Sequence, residues 1–445
     1  MHGPDPAWVR AGVFRAAGPP AVSCGRRGAD VSETPEREGA APGAPAPRRW
    51  FGFHPNVIAL GLTSLFTDIS SEMIVPVLPL FLTVTLGASV ASLGLIEGIA
   101  ECASSMLRLV SGRLSDRLGH RKPFVVVGYS LSAVCKSAMA LAQGWPFMLG
   151  MRFGDRVGKA VRTPPRDALL ADSANGGDLG RVFGVHRAMD TLGAAIGPLV
   201  AWALLRHWSA LGAEGYRRIF LVSAIPAAIA VAVLVLMVRA PRSPARTAAE
   251  QAESREPLGP VFKRFVAADV LFQIGNSSWA FLLLRAEHVG WSASGVALVY
   301  LGYNLLTAAL AFPCGWLSDR VGRRPLILAG YLVYAVAYGL AAFAPVRAGA
   351  AAAFLVLAAH TALMDGQAKS LIADLVPRVR RATAYGAYNA AVGLALLPAS
   401  LIAGLLWEHV SPAAPFVFGA TLAIAAAIAF ATLLPAHREH DERHA

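Results

Sequence analysis

The chain has 445 residues, 55% of them hydrophobic and only 15% charged, with a formal net charge of +12. A water-soluble domain carries about 25% charged residues, so the composition excludes most soluble enzymes and a mainly disordered chain. It points to an all-α integral membrane protein. The four cysteines, Cys24, Cys102, Cys135 and Cys314, show no CxxC spacing, and they predict neither a disulfide framework nor a metal site.

Residues 1–53 are rich in Pro, Gly, Ala, Arg and Glu and hold no apolar run of signal-peptide length. They predict a disordered cytoplasmic tail. From His54 onward, apolar segments of about 20 residues recur, the length that crosses a bilayer core. They fall at 56–85, 90–112, 123–142, 146–172, 181–205 and 218–238, then at 261–284, 293–313, 325–344, 350–374, 382–406 and 412–434. The fourth is the least hydrophobic of the twelve. A polar stretch at 239–260 separates a bundle at 54–238 from a second at 261–434, and 435–445 forms a charged tail.

Charge placement orients the chain. With the N-terminus inside, 28 of the 40 basic residues fall in inner segments. Five, Arg206, Arg217, Arg218, Arg285 and Arg347, fall outside. That asymmetry is the positive-inside pattern. It puts both termini and the 239–260 linker in the cytoplasm and accounts for the basic charge without nucleic acid.

An internal repeat is present. Residues 112–123 (GRLSDRLGHRKP) recur as 315–325 (GWLSDRVGRRP), offset by 203 with one residue missing near the end. Leu169 to Asp172 (LLAD) recurs as Leu371 to Asp374 (LIAD), offset by 202. Parallel six-helix halves are one of the known transporter plans.

These residues resemble the major facilitator superfamily over about residues 54–434. The loop at 112–122 follows that family's signature Gly-x-Leu-x-Asp-Arg-x-Gly before a basic cluster, with His120 where Arg is usual. The copy at 315–324 sits at the equivalent place in the second half. The resemblance implies a fold of twelve transmembrane helices in two pseudo-symmetric six-helix bundles. It also implies a cytoplasmic gate built on Gly112, Asp116, Arg117, Gly119 and Arg121 and on Gly315, Asp319, Arg320 and Gly322. Helix 5 carries Gly184, Gly193, Gly197 and Pro198 at the spacing of the family's antiporter motif, whose last two glycines are Ala201 and Trp202 here. The resemblance implies exchange, usually with protons, while close helix packing at Gly193, Gly197 and Pro198 is the alternative.

Charged residues inside membrane helices are costly unless paired or facing water. Asp68 and Glu72 lie four apart on helix 1, as do Glu97 and Glu101 on helix 2. Helix 3 has Lys136. Arg152, Asp155, Arg156 and Lys159 form one stripe on helix 4, and helix 5 adds His186, Arg187 and Asp190. A rise of ~1.5 Å per residue puts Asp68 and Glu72 roughly 18 and 24 Å from the inner end, level with the bases at 156–162. A carboxylate in a dry site favours its protonated form and a nearby cation favours the ionised one. Proton coupling is therefore expected at Asp68, Glu72, Arg152, Asp155 and Asp190. Arg152 stands where the family's coupling-associated arginine is found. Glu97, Glu101 and Arg108, and Arg187 with Asp190, also suit structural ion pairs.

The second half lacks the stripe and keeps Asp269, Asn276, Asp365 and Lys369. Substrate contacts are expected at Arg156, Lys159, Arg187, Gln273, Asn276, Trp279, Tyr303 and Asn304, although the aromatic residues equally suit packing. The expected activity is proton-coupled efflux of a small organic compound by a monomer in the cell (inner) membrane. Its partners are the substrate, protons and membrane lipid, and no nucleic acid, metal or cofactor is expected. Uptake or exchange of an organic anion and a non-transporting membrane sensor are the alternatives. The His437, His440 and His444 spacing sits in the charged tail and predicts no metal site.

Overall fold

Every apolar segment folds as helix, because a backbone in hydrocarbon must bond its own N–H and C=O groups within the segment. The computed structural model describes residues 53–118, 120–173, 179–239, 258–344, 346–364, 366–376 and 380–434. The expected tails at 1–53 and 435–445 and the linker at 239–260 fall almost wholly outside the described residues. So do Gly119, Asp365 and the side chains of Asp116, Arg117 and Asp319.

Among the described residues, twelve segments cross the molecule. The first half holds α1 (Pro55–Ile74, resuming at Leu78–Leu80 and a π turn Phe81–Thr85), α2 (Val90–Leu118), α3 (Arg121–Ala138), α4 (Trp145–Asp172), α5 (Leu179–His207) and α6 (Ala213–Met237). The second holds α7 (Pro260–Gly275, resuming as Trp279–His288), α8 (Ala293–Val321), α9 (Arg323–Phe343), α10 (Arg347–Met364, resuming as Gln367–Leu375), α11 (Arg381–His409) and α12 (Ala414–Leu433). Eleven are long and apolar enough to cross a membrane by length and composition. The exception is α4, the segment that carries the charged stripe.

The structure corrects the expected elements in two ways. Three segments read as continuous are broken. In α1 the break at 75–77 contains Pro76, which lacks an N–H. In α7 it falls at Asn276 (φ −87°, ψ 78°) and two serines, where Ser278 caps the resumed helix by accepting from the Ala280 N–H. In α10 it falls at Gly366, whose φ of +80° suits glycine. The signature loops, in turn, are mostly helix. α2 continues to Leu118 and α8 to Val321, so Gly112 and Gly315 lie inside helices rather than in turns. A Cβ at Gly112 would sit 3.3 Å from Pro164, so its small size serves the approach of α2 to α4. Gly322, at φ +84°, makes the turn in the second copy.

The halves meet along α2 with α11 and α5 with α8. The first seam is glycine-lined. A Cβ at Gly94 would lie 2.2 Å from the Ser400 carbonyl, and one at Gly404 would lie 2.7 Å from the Ala91 Cα. Backbones approach this closely only where side chains are absent. The face carrying the repeated basic motif has its own first-half core of Val57, Leu60, Tyr129, Leu170 and Leu234. At the opposite face, one apolar cluster draws on both halves, joining Met73, Phe81 and Leu93 to Ala280, Leu284 and Ala297.

Candidate functional site

A cavity of about 420 Å³ lies between the halves. α4 supplies Arg152, Asp155, Arg156, Lys159 and Arg162, and α1 supplies Asp68, Ser71 and Glu72. α2 adds Glu97 and Glu101, α3 adds Lys136, and the break of α7 adds Gln273, Asn276, Ser277, Ser278 and Trp279. At i, i+3, i+4, i+7 and i+10 the α4 charges share a face. Close approach of α3 turns that face inward, since a Cβ at Gly158 would lie 2.6 Å from the Gly128 carbonyl.

The pairing is specific. Arg152 makes a bidentate contact to Glu97, Nε to Oε1 at 2.8 Å and Nη2 to Oε2 at 3.1 Å, and also approaches Asp155 at 3.6 Å. Arg156 pairs with Glu101 at 2.8 Å. The Ser132 hydroxyl donates to Asp155, and Lys136 donates to the Ser71 hydroxyl at 3.0 Å. Arg162 lies over the Tyr129 ring, 4.2 Å from its centroid, and its buried Nη1 has no hydrogen-bond partner. Glu72 accepts from the Tyr300 hydroxyl of α8 at 2.8 Å, a bond that crosses from one half to the other. Among the described residues the side chains of Asp68 and Lys159 make no hydrogen bond or ion pair, yet both residues line the cavity. Arg152 and Arg156 thus form a paired charge framework with Glu97, Glu101 and Asp155, beside which Asp68, Lys159 and Arg162 stand outside any ion pair among the described residues.

Gly193 and Gly197 of α5 sit directly behind the acids of α1. A Cβ at Gly193 would fall 2.9 Å from the Asp68 Cβ, and one at Gly197 would fall 2.6 Å from the Glu72 Cβ. The glycine motif thus seats the helix that carries both acids.

Of the residues expected for coupling, Asp68, Glu72, Arg152 and Asp155 line this cavity. Asp190 lies outside it, beside His186 at 3.4 Å. Of those expected for substrate, Arg156, Lys159, Gln273, Asn276 and Trp279 line it. Arg187 is exposed on α5 and does not line the cavity. Tyr303 bonds Thr361 at 3.0 Å and packs on Trp279, with ring centroids 4.4 Å apart. Asn304 donates to the Ala194 carbonyl at 2.9 Å and so ties α8 to α5.

A second cavity of about 340 Å³ adjoins the first within the second half and shares Gln273, Asn276, Ser277 and Trp279 with it. Tyr334, Tyr338, His360, Thr361, Lys369 and Tyr388 line the remainder. Sequence reading passed over His360 and the tyrosines of α9. The available signal was Tyr331, Tyr334 and Tyr338 at i, i+3 and i+7 in an otherwise apolar helix.

On the basic face the two repeats form matching anchors. Arg121 pairs with Asp172, and Arg323 pairs with Asp374 at 3.3 Å. Lys122 donates to the Val235 carbonyl at the end of α6, and Arg324 donates to the Ala431 carbonyl at the end of α12, at 2.9 and 2.8 Å. Cations there complement the negative ends of those helices. Arg320 stacks over Trp316, 3.7 Å from the ring centroid.

Two six-helix repeats around a polar cavity define the plan of a secondary transporter. The family profile described as Major Facilitator Superfamily matches residues 60–285 and 270–445. An uncharacterised MFS-type transporter of Methanocaldococcus jannaschii is 34% identical over 376 residues, covering 83% of this chain and 92% of its own. Multidrug resistance protein MdtH of Enterobacter sp. is 26% identical over 257 residues, 56% of this chain and 60% of its own. Among solved structures, a POT family transporter in complex with 5-aminolevulinic acid superposes with a TM-score of 0.72 at 13% identity, over 86% of this chain and 96% of that one. The chain belongs to the Major Facilitator Superfamily and is a multi-pass membrane transporter, not an enzyme.

Proposed function

We propose that the protein exports a small organic compound in exchange for protons by alternating access, as a monomer in the cell (inner) membrane with both termini cytoplasmic. The observation that carries this reading is the placement of Asp68 and Glu72 in one cavity with Arg156 and Lys159, with Glu72 bonded to Tyr300 across the halves. Rocking of the halves makes and breaks that bond and changes the cations each acid faces. A carboxylate moved between such settings takes up and releases a proton. Substrate bound at Arg156 and Lys159 competes with the acids for the same positive charge, which gives exchange. Arg152 and Asp155 hold the framework, and Gln273, Asn276 and Trp279 form the softer wall. The helix-5 glycines and the likeness to a multidrug resistance protein support the outward direction. The matching basic-face anchors support a gate at the two signature segments.

Uptake or exchange of an organic anion is the second reading, favoured by the unpaired Lys159 and by the unbonded Nη1 of Arg162. A thermal-shift screen on purified protein identifies a ligand, and flux of that ligand in proteoliposomes with and without a pH gradient then decides. Asp68→Asn or Glu72→Gln is expected to abolish pH-driven flux and preserve ligand-for-ligand exchange, and Arg156→Ala to impair both. Full pH-driven flux in the Asp68→Asn, Glu72→Gln double mutant removes the proposal.

A further inference from the structure

Among the described residues, Asp269 is the one fully buried carboxylate of the second half, and the coupling scheme above does not use it. It is completely buried in α7. Three neutral groups bond it: the Tyr331 hydroxyl to Oδ1 at 2.7 Å, the Tyr388 hydroxyl to Oδ2 at 2.9 Å and the Gln273 amide Nε2 to Oδ2 at 3.3 Å. Among the described residues no Arg, Lys or His lies within ion-pair distance. This differs from the first half, where Glu97, Glu101 and Asp155 each face an arginine. A buried ionised carboxylate is retained when donors or cations compensate it, and otherwise it neutralises by binding a proton.

Among the described residues, the neighbouring helices present hydroxyls and rings to this site. α9 presents Tyr331 and α11 presents Tyr388. α12 carries no titratable side chain over Ala414–Leu433 and presents Phe430 to Phe265 and Tyr331. On α10 the groups are His360, tilted against Phe272, and Lys369, which lines the adjoining cavity. On α7 itself Lys263 and Arg264 lie one turn or more toward the helix start.

The connection to the transport cavity is direct. Gln273 donates to Asp269 through Nε2 and accepts from Asn276 Nδ2 through Oε1 at 2.9 Å. Gln273 and Asn276 line both cavities and lie at the break of α7. The carbonyls freed there are held by α9, with Tyr334 bonding the Gly275 oxygen at 3.2 Å and Tyr338 bonding the Ser277 oxygen at 3.4 Å.

We propose that Asp269 is a second proton-binding site, read out in the substrate cavity by an amide relay through Gln273 and Asn276. With Asp269 ionised, Gln273 points its NH2 at the carboxylate and its oxygen at Asn276, the arrangement observed. When Asp269 binds a proton, its O–H becomes a donor and requires an acceptor. Gln273 turns its oxygen to Asp269 and its NH2 to the cavity, and Asn276 loses its acceptor and reorients. The cavity wall then changes from one polarity to the other. The proton enters through Tyr388, which lines the adjoining cavity: its hydroxyl takes a proton from a hydronium ion in the cavity, leaving water, as it passes its own to Oδ2. This site stands beside the coupling assigned to α1 and does not rest on it.

The test is infrared difference spectroscopy, acid minus alkaline, on the purified full-length protein in liposomes. It is done in an Asp68→Asn, Glu72→Gln background so that failure of the α1 reading leaves it unaffected. One protonated-carboxyl C=O band is expected to remain and to vanish on adding Asp269→Asn. Tyr331→Phe and Tyr388→Phe are each expected to move the band to higher frequency, because each removes a hydrogen-bonding neighbour. These two variants decide the matter if Asp269→Asn does not fold. Gln273→Leu is expected to keep the band and lose the pH response of Trp279 emission, taken as the difference from a Trp279→Phe variant. A band unmoved by either tyrosine variant, or persisting at full height in Asp269→Asn, overturns the site. A Trp279 response that survives Gln273→Leu overturns the relay.

Discussion

The two halves share one helical frame and fill matched positions with different chemistry. α3 presents Tyr129, Ser132 and Lys136 where α9, 202 residues later, presents Tyr331, Tyr334 and Tyr338. In the first half those positions serve charge, with Ser132 on Asp155 and Lys136 on Ser71 of α1. In the second they serve hydroxyl contacts to α7, on Asp269, the Gly275 oxygen and the Ser277 oxygen. The stripe Arg152, Asp155, Arg156, Lys159 and Arg162 corresponds to Phe354, Leu357, Ala358, Thr361 and Met364. Gly193 and Gly197 correspond to Ala395 and Ala399. The basic-face anchors, Arg121 with Asp172 and Arg323 with Asp374, are kept in both halves. A repeat therefore preserves the frame and its basic-face fastening, while the chemistry of binding is free to diverge. Here the costly charges are gathered in one half, where they can pair with one another.

The sharpest way to break this comparison is to remove the centre of the charged stripe. Arg152→Met leaves Glu97 and Asp155 buried without their guanidinium and is expected to cost about 3–5 kcal/mol of stability. The matched change in the second half, Phe354→Leu, alters only packing and is expected to cost about 1 kcal/mol. Thermal unfolding of both variants in the same detergent compares them. Equal losses would mean that the stripe is no more a network than its apolar counterpart. Adding Glu97→Leu to Arg152→Met is expected to recover part of the loss, because one uncompensated charge goes with it.

A smaller effect tests the glycine–alanine difference. Gly197→Ala places a methyl 2.6 Å from the Glu72 Cβ and 2.9 Å from the Ile69 carbonyl. It is expected to cost about 1–3 kcal/mol through overpacking and to disturb the Glu72–Tyr300 bond. Ala399→Gly, the opposite exchange at the matched site, is expected to cost about 1 kcal/mol through helix propensity alone. Depressed coupling in Gly197→Ala but not in Ala399→Gly is the expected flux result. If both leave flux and melting temperature unchanged, α5 does not seat α1 through its glycines.

The smallest effect tests what the halves share. Asp172 and Asp374 are about half exposed, at 46% and 47%. Asp172→Asn and Asp374→Asn are therefore each expected to cost less than about 1 kcal/mol, and by similar amounts. Added salt should shrink both losses. A much larger loss at one site would show that the two anchors differ in role despite their matching geometry.

The repeated loop, the two-bundle plan and the candidate cavity charges were legible in the residues, because each rests on composition, spacing or self-similarity. The alternative weighed for Glu97 and Glu101 was an ion pair between helices, and the structure places both against α4 arginines. Asp190 and Arg187 were grouped with the cavity because charged side chains inside membrane helices are costly unless paired or facing water. Asp190 meets that demand beside His186 instead, and Arg187 is exposed. The tyrosine network of α9 was missed because three tyrosines in an apolar helix look like core until their hydroxyl partners are known.

By itself the sequence determined that the chain crosses a membrane, that its halves repeat and that one helix carries a stripe of charge. Each of these follows from local hydropathy or from the fixed period of a helix. Tertiary structure decided which acid meets which base, that Tyr300 reaches Glu72 across the halves, and that Asp269 is held by neutral donors. It also decided that Gly112 lies in a helix rather than a turn. Such contacts depend on the rotation and depth of one helix against another. Those are set by glycine close approaches and helix breaks far apart in the chain, so no window of sequence contains them.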